Sequence, residues 1–243
     1  MSSEITGRVA LVTGATKGIG REIARQLVDN KFLVYVGARS VESGTAVARD
    51  LSVQGGRAKA ILIDVTDKAL VSAVAGRIEK EKGKLDVLVN NAGVLLDEQP
   101  PSGLTLDILR RTYETNVFGT FNATQAMIPL LRKSPSGRVI TLTSGLSLSL
   151  YGNPSIGPRL PLLAAYASSK MALNALMVQL ALELRNTSIK VNLADPGQVA
   201  TDLSKHRGSR SLQEGASVAL RLALLSDDGP TGVLFDENGM AAW

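Results

Sequence analysis

The chain has 243 residues, a net charge of +5 and no cysteine; 44% of its residues are hydrophobic and 4% are aromatic. A chain of this length suits one domain with an aliphatic core, and the absence of cysteine excludes disulfides, thiolate metal sites and a cysteine nucleophile. The basic residues are scattered and no aromatics interleave with them; the densest group is Lys205, His206, Arg207 and Arg210. That pattern points to solvated surface charge rather than a nucleic-acid partner. No run reaches the ~18 apolar residues of a membrane span, and charge interrupts the first apolar stretch where a signal peptide needs a long core. We therefore expect a cytoplasmic protein without a membrane partner.

Short β-branched or aliphatic runs alternate with longer amphipathic stretches. The pattern predicts strands at 8–13, 32–36, 58–63, 87–90, 138–143, 189–194 and 232–235. Helices are predicted at 18–29, 42–53, 67–82, 106–131, 163–185 and 212–225, with Gly83 as a C-cap. Strands separated by helices of ten or more residues form a parallel sheet covered on both faces, which accounts for their nearly continuous apolar runs. The expected fold class is α/β: one domain over 1–243, a doubly wound parallel sheet of about seven strands. Ligands in such sheets bind beyond the carboxyl ends of the strands.

The first strand end carries Thr13-Gly14-Ala15-Thr16-Lys17-Gly18-Ile19-Gly20 and leads directly into the first helix. Glycines there let the backbone approach a pyrophosphate, and the helix start offers free N–H groups to it. A site that takes NAD usually has an acid after the second strand; here that end reads Val36-Gly37-Ala38-Arg39-Ser40. Arg39 offers a planar fork to a 2′-phosphate, with Lys17 as a second cation and Ser40 as a hydrogen-bond donor, so the cofactor expected is NADP(H). Asp64 after the third strand suits the adenine amino group, with Val65 packing beside it. Asn91, Ala92 and Gly93 after the fourth strand are small enough to lie against a ribose or ring. Pro196 and Gly197 after the sixth would shape the nicotinamide pocket, with Val199 and Thr201 following.

Tyr166 and Lys170 are spaced by four on a predicted helix and so share one face. A lysine ammonium beside a phenol favours the phenolate and lowers its pKa from about 10, which would make Tyr166 a usable acid or base. Ser144 ends the fifth strand and can hydrogen-bond a carbonyl oxygen. Asn116 is an amide in the middle of the long predicted helix, an unfavourable place for it.

Together, and in this order, these motifs resemble the short-chain dehydrogenase/reductase family over roughly residues 8–235, in particular its NADPH-dependent carbonyl reductase branch. The resemblance implies a Rossmann fold and a tetrad of Asn116, Ser144, Tyr166 and Lys170. In it, Tyr166 moves the proton, Ser144 positions the carbonyl and Lys170 lowers the Tyr166 pKa while holding the nicotinamide ribose. Asn116 supports a relay water. The implied partner is a small carbonyl or alcohol substrate. Monomer, dimer and tetramer all stay open.

Ser144 and Tyr166 are separated by 21 residues, 145–165, more than in the shortest family members. Substrate loops are expected near 145–162 and 200–211, the latter as a lid, with a lining of Leu146, Leu150, Tyr151, Val94 and Leu203. Two other functions fit the chain: reduction of a 3-oxoacyl group on an acidic carrier, and cofactor-dependent regulation without turnover. His206 reads as a loop residue, and Asp227-Asp228 as part of a turn rather than a metal site.

Overall fold

The computed structural model describes residues 7–145 and 162–241. Eight strands form one sheet: β1 Val9–Val12, β2 Leu33–Ala38, β3 Arg57–Leu62, β4 Val87–Asn90, β5 Arg138–Leu142, β6 Lys190–Ala194, β7 Leu234–Asp236 and β8 Gly239–Ala241. Their order is β3-β2-β1-β4-β5-β6-β7-β8, parallel throughout except for the antiparallel pair β7–β8. The first three strands step outward on one side of β1, and β4 starts the other side. The order therefore reverses between β1 and β4, where Val12 pairs with Val89.

The helices are α1 Gly18–Asp29, α2 Val41–Ser52, α3 Lys68–Lys82, α4 Leu106–Tyr113, α5 Thr120–Leu131, α6 Ala164–Glu183 and α7 Leu212–Ala223. β1 shows why both sheet faces are covered. Its side chains alternate: Val9 and Leu11 join one core with residues of α3, α5 and α6, while Ala10 and Val12 join another with residues of α1, α2 and α7. At the outer edge β3 exposes Arg57, a charge that discourages pairing with a further strand.

Most helices carry their own start signal. Ser40 accepts from the Ser43 amide, Asp67 from Leu70, and Thr105 from Ile108, and Ser211 and Glu214 form a capping box. α6 has no such residue: its N-cap is Leu163, which contributes no side-chain hydrogen bond.

Two features differ from the sequence expectation. The helix predicted over 106–131 is interrupted by a π-turn at Glu114–Gly119, between α4 and α5. The sheet gains β8, formed when a tight turn sends the chain back along β7, with Asp236 paired to Gly239.

Candidate active site

The turns after β1 and β4 are stitched together by Thr13. Its Oγ1 donates to the Val89 carbonyl at 3.3 Å and accepts from the Asn91 and Ala92 amides, each at 3.0 Å. The Asn91 carboxamide donates to the Thr13 and Gly14 carbonyls at 2.9 and 3.0 Å. Gly14 needs its glycine: φ is +64°, and a Cβ there would sit 3.0 Å from the Ala92 Cα. At Gly20, a Cβ would fall 2.3 Å from Asn91 Nδ2. Gly14 and Gly20 therefore let the two turns close on each other. Thr16, Gly18 and Ile19 lie between them, where the chain enters α1.

Arg39 and Ser40 are exposed at the end of β2. The Ser40 hydroxyl also accepts from Ser43 as the α2 cap. Lys17 pairs with Asp202 at 2.7 Å, so its charge is partly compensated from the 200–211 segment. Asp64 is not the cap of α3, which is Asp67; its Oδ1 accepts from the Thr66 amide and hydroxyl at 3.0 and 2.7 Å. Partial burial works to raise the Asp64 pKa, but those two bonds and the nearby Arg39 charge outweigh it, and the carboxyl titrates below its ordinary value. Val65 is buried, and its carbonyl accepts from Asn122 at 3.0 Å.

Asn116 occupies the π-turn and is fully buried. Its Oδ1 accepts from the Val94 amide at 2.8 Å, and its Nδ2 donates to the Val94 carbonyl at 2.9 Å and to Ser169 Oγ at 3.0 Å. Ser169 in turn donates to the Tyr166 carbonyl at 2.7 Å. π-turns inside helices often accompany functional sites, and here the turn aims the amide at the segment after β4.

Tyr166 and Lys170 lie on the same face of α6, with the ammonium 5.8 Å from the ring centroid. Lys170 donates to the Leu142 carbonyl at 2.8 Å. Gly93 faces both groups: a Cβ there would be 3.3 Å from Asn116 Oδ1 and 3.7 Å from Lys170 Nζ. The Ser144 hydroxyl hydrogen-bonds the Tyr166 oxygen. All four residues expected at the reaction centre thus converge beyond the ends of β4 and β5.

The electrostatics correct one expectation. Burial pushes Tyr166 up to about 12; the charge of Asp195 acts in the same direction, and the Ser144 hydrogen bond opposes both. Lys170 is not among the groups that shift the phenol, and burial lowers its own pKa to about 8.

The sequence reading did not single out two carboxylates. Asp195, after β6, accepts from the Gly197 amide at 2.9 Å and also from Gly145. Burial raises its pKa, and the charges of Glu237 and Asp236 add to that against the two backbone bonds. Asp97, on the segment after β4, accepts from the Ala165 and Tyr166 amides at 2.8 and 3.0 Å. The signal for Asp195 was an acid beside Pro196-Gly197; nothing local marked Asp97.

The 200–211 segment is hydrogen-bonded rather than open. Gly197 has φ +71°, Val199 bridges to Arg210, and the Ser204 hydroxyl donates to the Val199 carbonyl at 2.8 Å. Ser204 also bonds the Thr201 amide at 3.0 Å. Pro196 is buried, Leu203 is exposed, and Val94 is held beside Asn116. Leu146, Leu150 and Tyr151 lie outside the described residues. His206 is exposed beside Asp202. Among the described residues, no three His, Asp or Glu side chains gather as a metal site, and no helix is long and apolar enough to cross a membrane.

Residues 8–211 match the family model described as short chain dehydrogenase. The chain belongs to that family. This short-chain dehydrogenase is 33% identical to (-)-isopiperitenone reductase of Mentha piperita, over 95% of this chain and 96% of the relative. It is 31% identical to carbonyl reductase [NADPH] 3 of Rattus norvegicus, over 97% and 98%. Among solved structures, a short chain dehydrogenase of Shigella flexneri 2a complexed with NADP superposes with a TM-score of 0.83 at 28% identity, over 96% of this chain and 98% of that one.

Proposed function

We propose that this short-chain dehydrogenase reduces a ketone or aldehyde to an alcohol in the cytoplasm, with NADPH as cofactor and Tyr166 as the general acid. The observation that carries the reading is the meeting of four side chains: Asn116 and Lys170 lie beside Gly93, the Lys170 ammonium faces the Tyr166 ring, and Ser144 hydrogen-bonds the Tyr166 oxygen.

The residues fit the cofactor. The stitched glycine turn leaves backbone and a helix start facing outward, and Gly93 keeps the approach to Lys170 clear of side chains. Gly14, Thr16, Lys17, Gly18, Ile19 and Gly20 would hold the pyrophosphate. Asp64 and Val65 would hold the adenine, and Asn91, Ala92, Gly93, Tyr166 and Lys170 the nicotinamide ribose. Pro196, Gly197, Val199 and Thr201 would close over the ring. What NADPH supplies when bound is the hydride. The preference for the phosphorylated cofactor rests on Arg39, since Lys17 already has Asp202 as partner. The relative named carbonyl reductase [NADPH] and the neighbour complexed with NADP support it.

Ser144 hydrogen-bonds the substrate oxygen and Tyr166 gives it the phenolic proton. With a pKa near 12 the phenol is fully protonated at neutral pH, so the donor form is always present, and an alkoxide is basic enough to take its proton. Asn116 fixes the Val94 segment and, through Ser169, the Tyr166 carbonyl.

A second reading is reduction of a 3-oxoacyl thioester on an acidic carrier, for which the exposed Lys205 and Arg207 offer a docking charge. NADPH oxidation on parallel panels of ketones, aldehydes and acetoacetyl thioesters separates the two. Turnover confined to thioesters favours the second, and NADPH binding without turnover on any panel leaves a regulator.

A further inference from the structure

The helix that carries Tyr166 and Lys170 has no local side-chain cap. The first turn of an α-helix has unpaired amides, and an N-cap side chain normally serves those at the second and third positions. In α6 those positions are Ala165 and Tyr166, and the residues before them, Leu162, Leu163 and Ala164, have no side-chain oxygen. Both amides are served by one carboxylate 68 and 69 residues upstream: Asp97 Oδ1 takes Ala165 and Oδ2 takes Tyr166. A carboxylate suits the partial positive charge of a helix start.

Asp97 sits on the strip of chain whose beginning faces the cofactor site. Thr13 holds that strip at Asn91 and Ala92, and Asn116 holds it at Val94. Its third anchor is the backbone of Tyr166 itself. We propose that Asp97 is a positioning residue that registers the Tyr166 phenol against the cofactor-facing segment 91–94. The proposal rests on the reading of Tyr166 as proton donor. It accounts for the use of a remote acid where α2, α3, α4 and α7 use local caps: a local cap would start the helix equally well but would not tie it to the cofactor strip.

The test compares wild type with Asp97→Ala, which removes both acceptors, and Asp97→Asn, which keeps one acceptor at the same size. We expect faster hydrogen exchange at the Ala165 and Tyr166 amides. Tyrosinate formation at Tyr166 should move from about 12 toward the ordinary 10 as the helix start loosens. In Asp97→Ala, kcat on a responsive ketone should fall about 10- to 100-fold, the scale of a small misplacement of a reacting group, with NADPH affinity retained; Asp97→Asn should lie between. Wild-type kcat in folded Asp97→Ala, or NADPH affinity lost in step with kcat, would overturn the proposal. Should Asp97→Ala fail to fold, the same criteria apply to Asp97→Asn. A wild-type enzyme that turns over no carbonyl contradicts the functional reading instead, and then exchange and tyrosinate titration unchanged in the variants would overturn the role of Asp97.

Discussion

Asn116 and Val94 hold each other by a reciprocal pair of hydrogen bonds, at 2.8 Å into the amide oxygen and 2.9 Å out of the amide nitrogen. A side-chain amide thereby acts as a backbone unit would, pairing with a loop residue 22 positions away. Asn116→Ala leaves the Val94 amide and carbonyl without this partner. It should destabilise the fold by about 1–3 kcal/mol, the cost of an unsatisfied buried group, and slow turnover. Urea unfolding of the variant checks the first effect and steady-state kinetics the second.

Gly20→Ala tests the junction of the two turns. The added carbon would meet the Asn91 side-chain Nδ2 at 2.3 Å and the Gly14 carbonyl at 2.5 Å, and Nδ2 is itself hydrogen-bonded to the Thr13 and Gly14 carbonyls. Overpacking of this kind costs about 1–3 kcal/mol. Calorimetric titration should find NADPH affinity lost together with some thermal stability.

Lys170 predicts a pH signature in stability. Its folded pKa of about 8 lies below the ordinary 10.5. Between those values the unfolded chain holds a proton that the folded chain has released, so stability rises with pH; below pH 8 the burial cost is present in full. Wild type should therefore gain on Lys170→Met from pH 8 to pH 10, by on the order of 2–3 kcal/mol. Urea unfolding of both proteins across that range measures it. A flat difference would mean that Lys170 titrates normally.

Arg39→Asp should reverse the cofactor preference. Removing a charge-assisted contact costs about 1.5–3 kcal/mol, equivalent to roughly 10- to 100-fold in NADPH affinity, and the new acid suits a ribose 2′-OH. Dissociation constants for NADPH and NADH in both proteins check this. An unchanged ratio would put the phosphate contact elsewhere.

The doubly wound sheet was legible because apolar strands and amphipathic helices have different periods; Ser144 could be named from a strand end, and Tyr166 and Lys170 from their helical spacing. β8 was not, since a three-residue strand leaves no periodic trace. The π-turn at Asn116 was hidden because no residue type in Glu114–Gly119 marks one, and the change lies in backbone bonding. Asp97 escaped because its partners are 68 and 69 residues away, and propensity reasoning looks for caps beside the helix. The direction of the Tyr166 shift was misjudged because spacing reveals that Lys170 is near but not how deeply both groups are buried.

The most direct test is the rate of NADPH oxidation on a responsive ketone by wild type and Tyr166→Phe, with NADPH affinity measured in both. Loss of nearly all turnover at saturating NADPH is the predicted result. Turnover at the wild-type rate in Tyr166→Phe would contradict the assignment of the proton donor and the mechanism built on it.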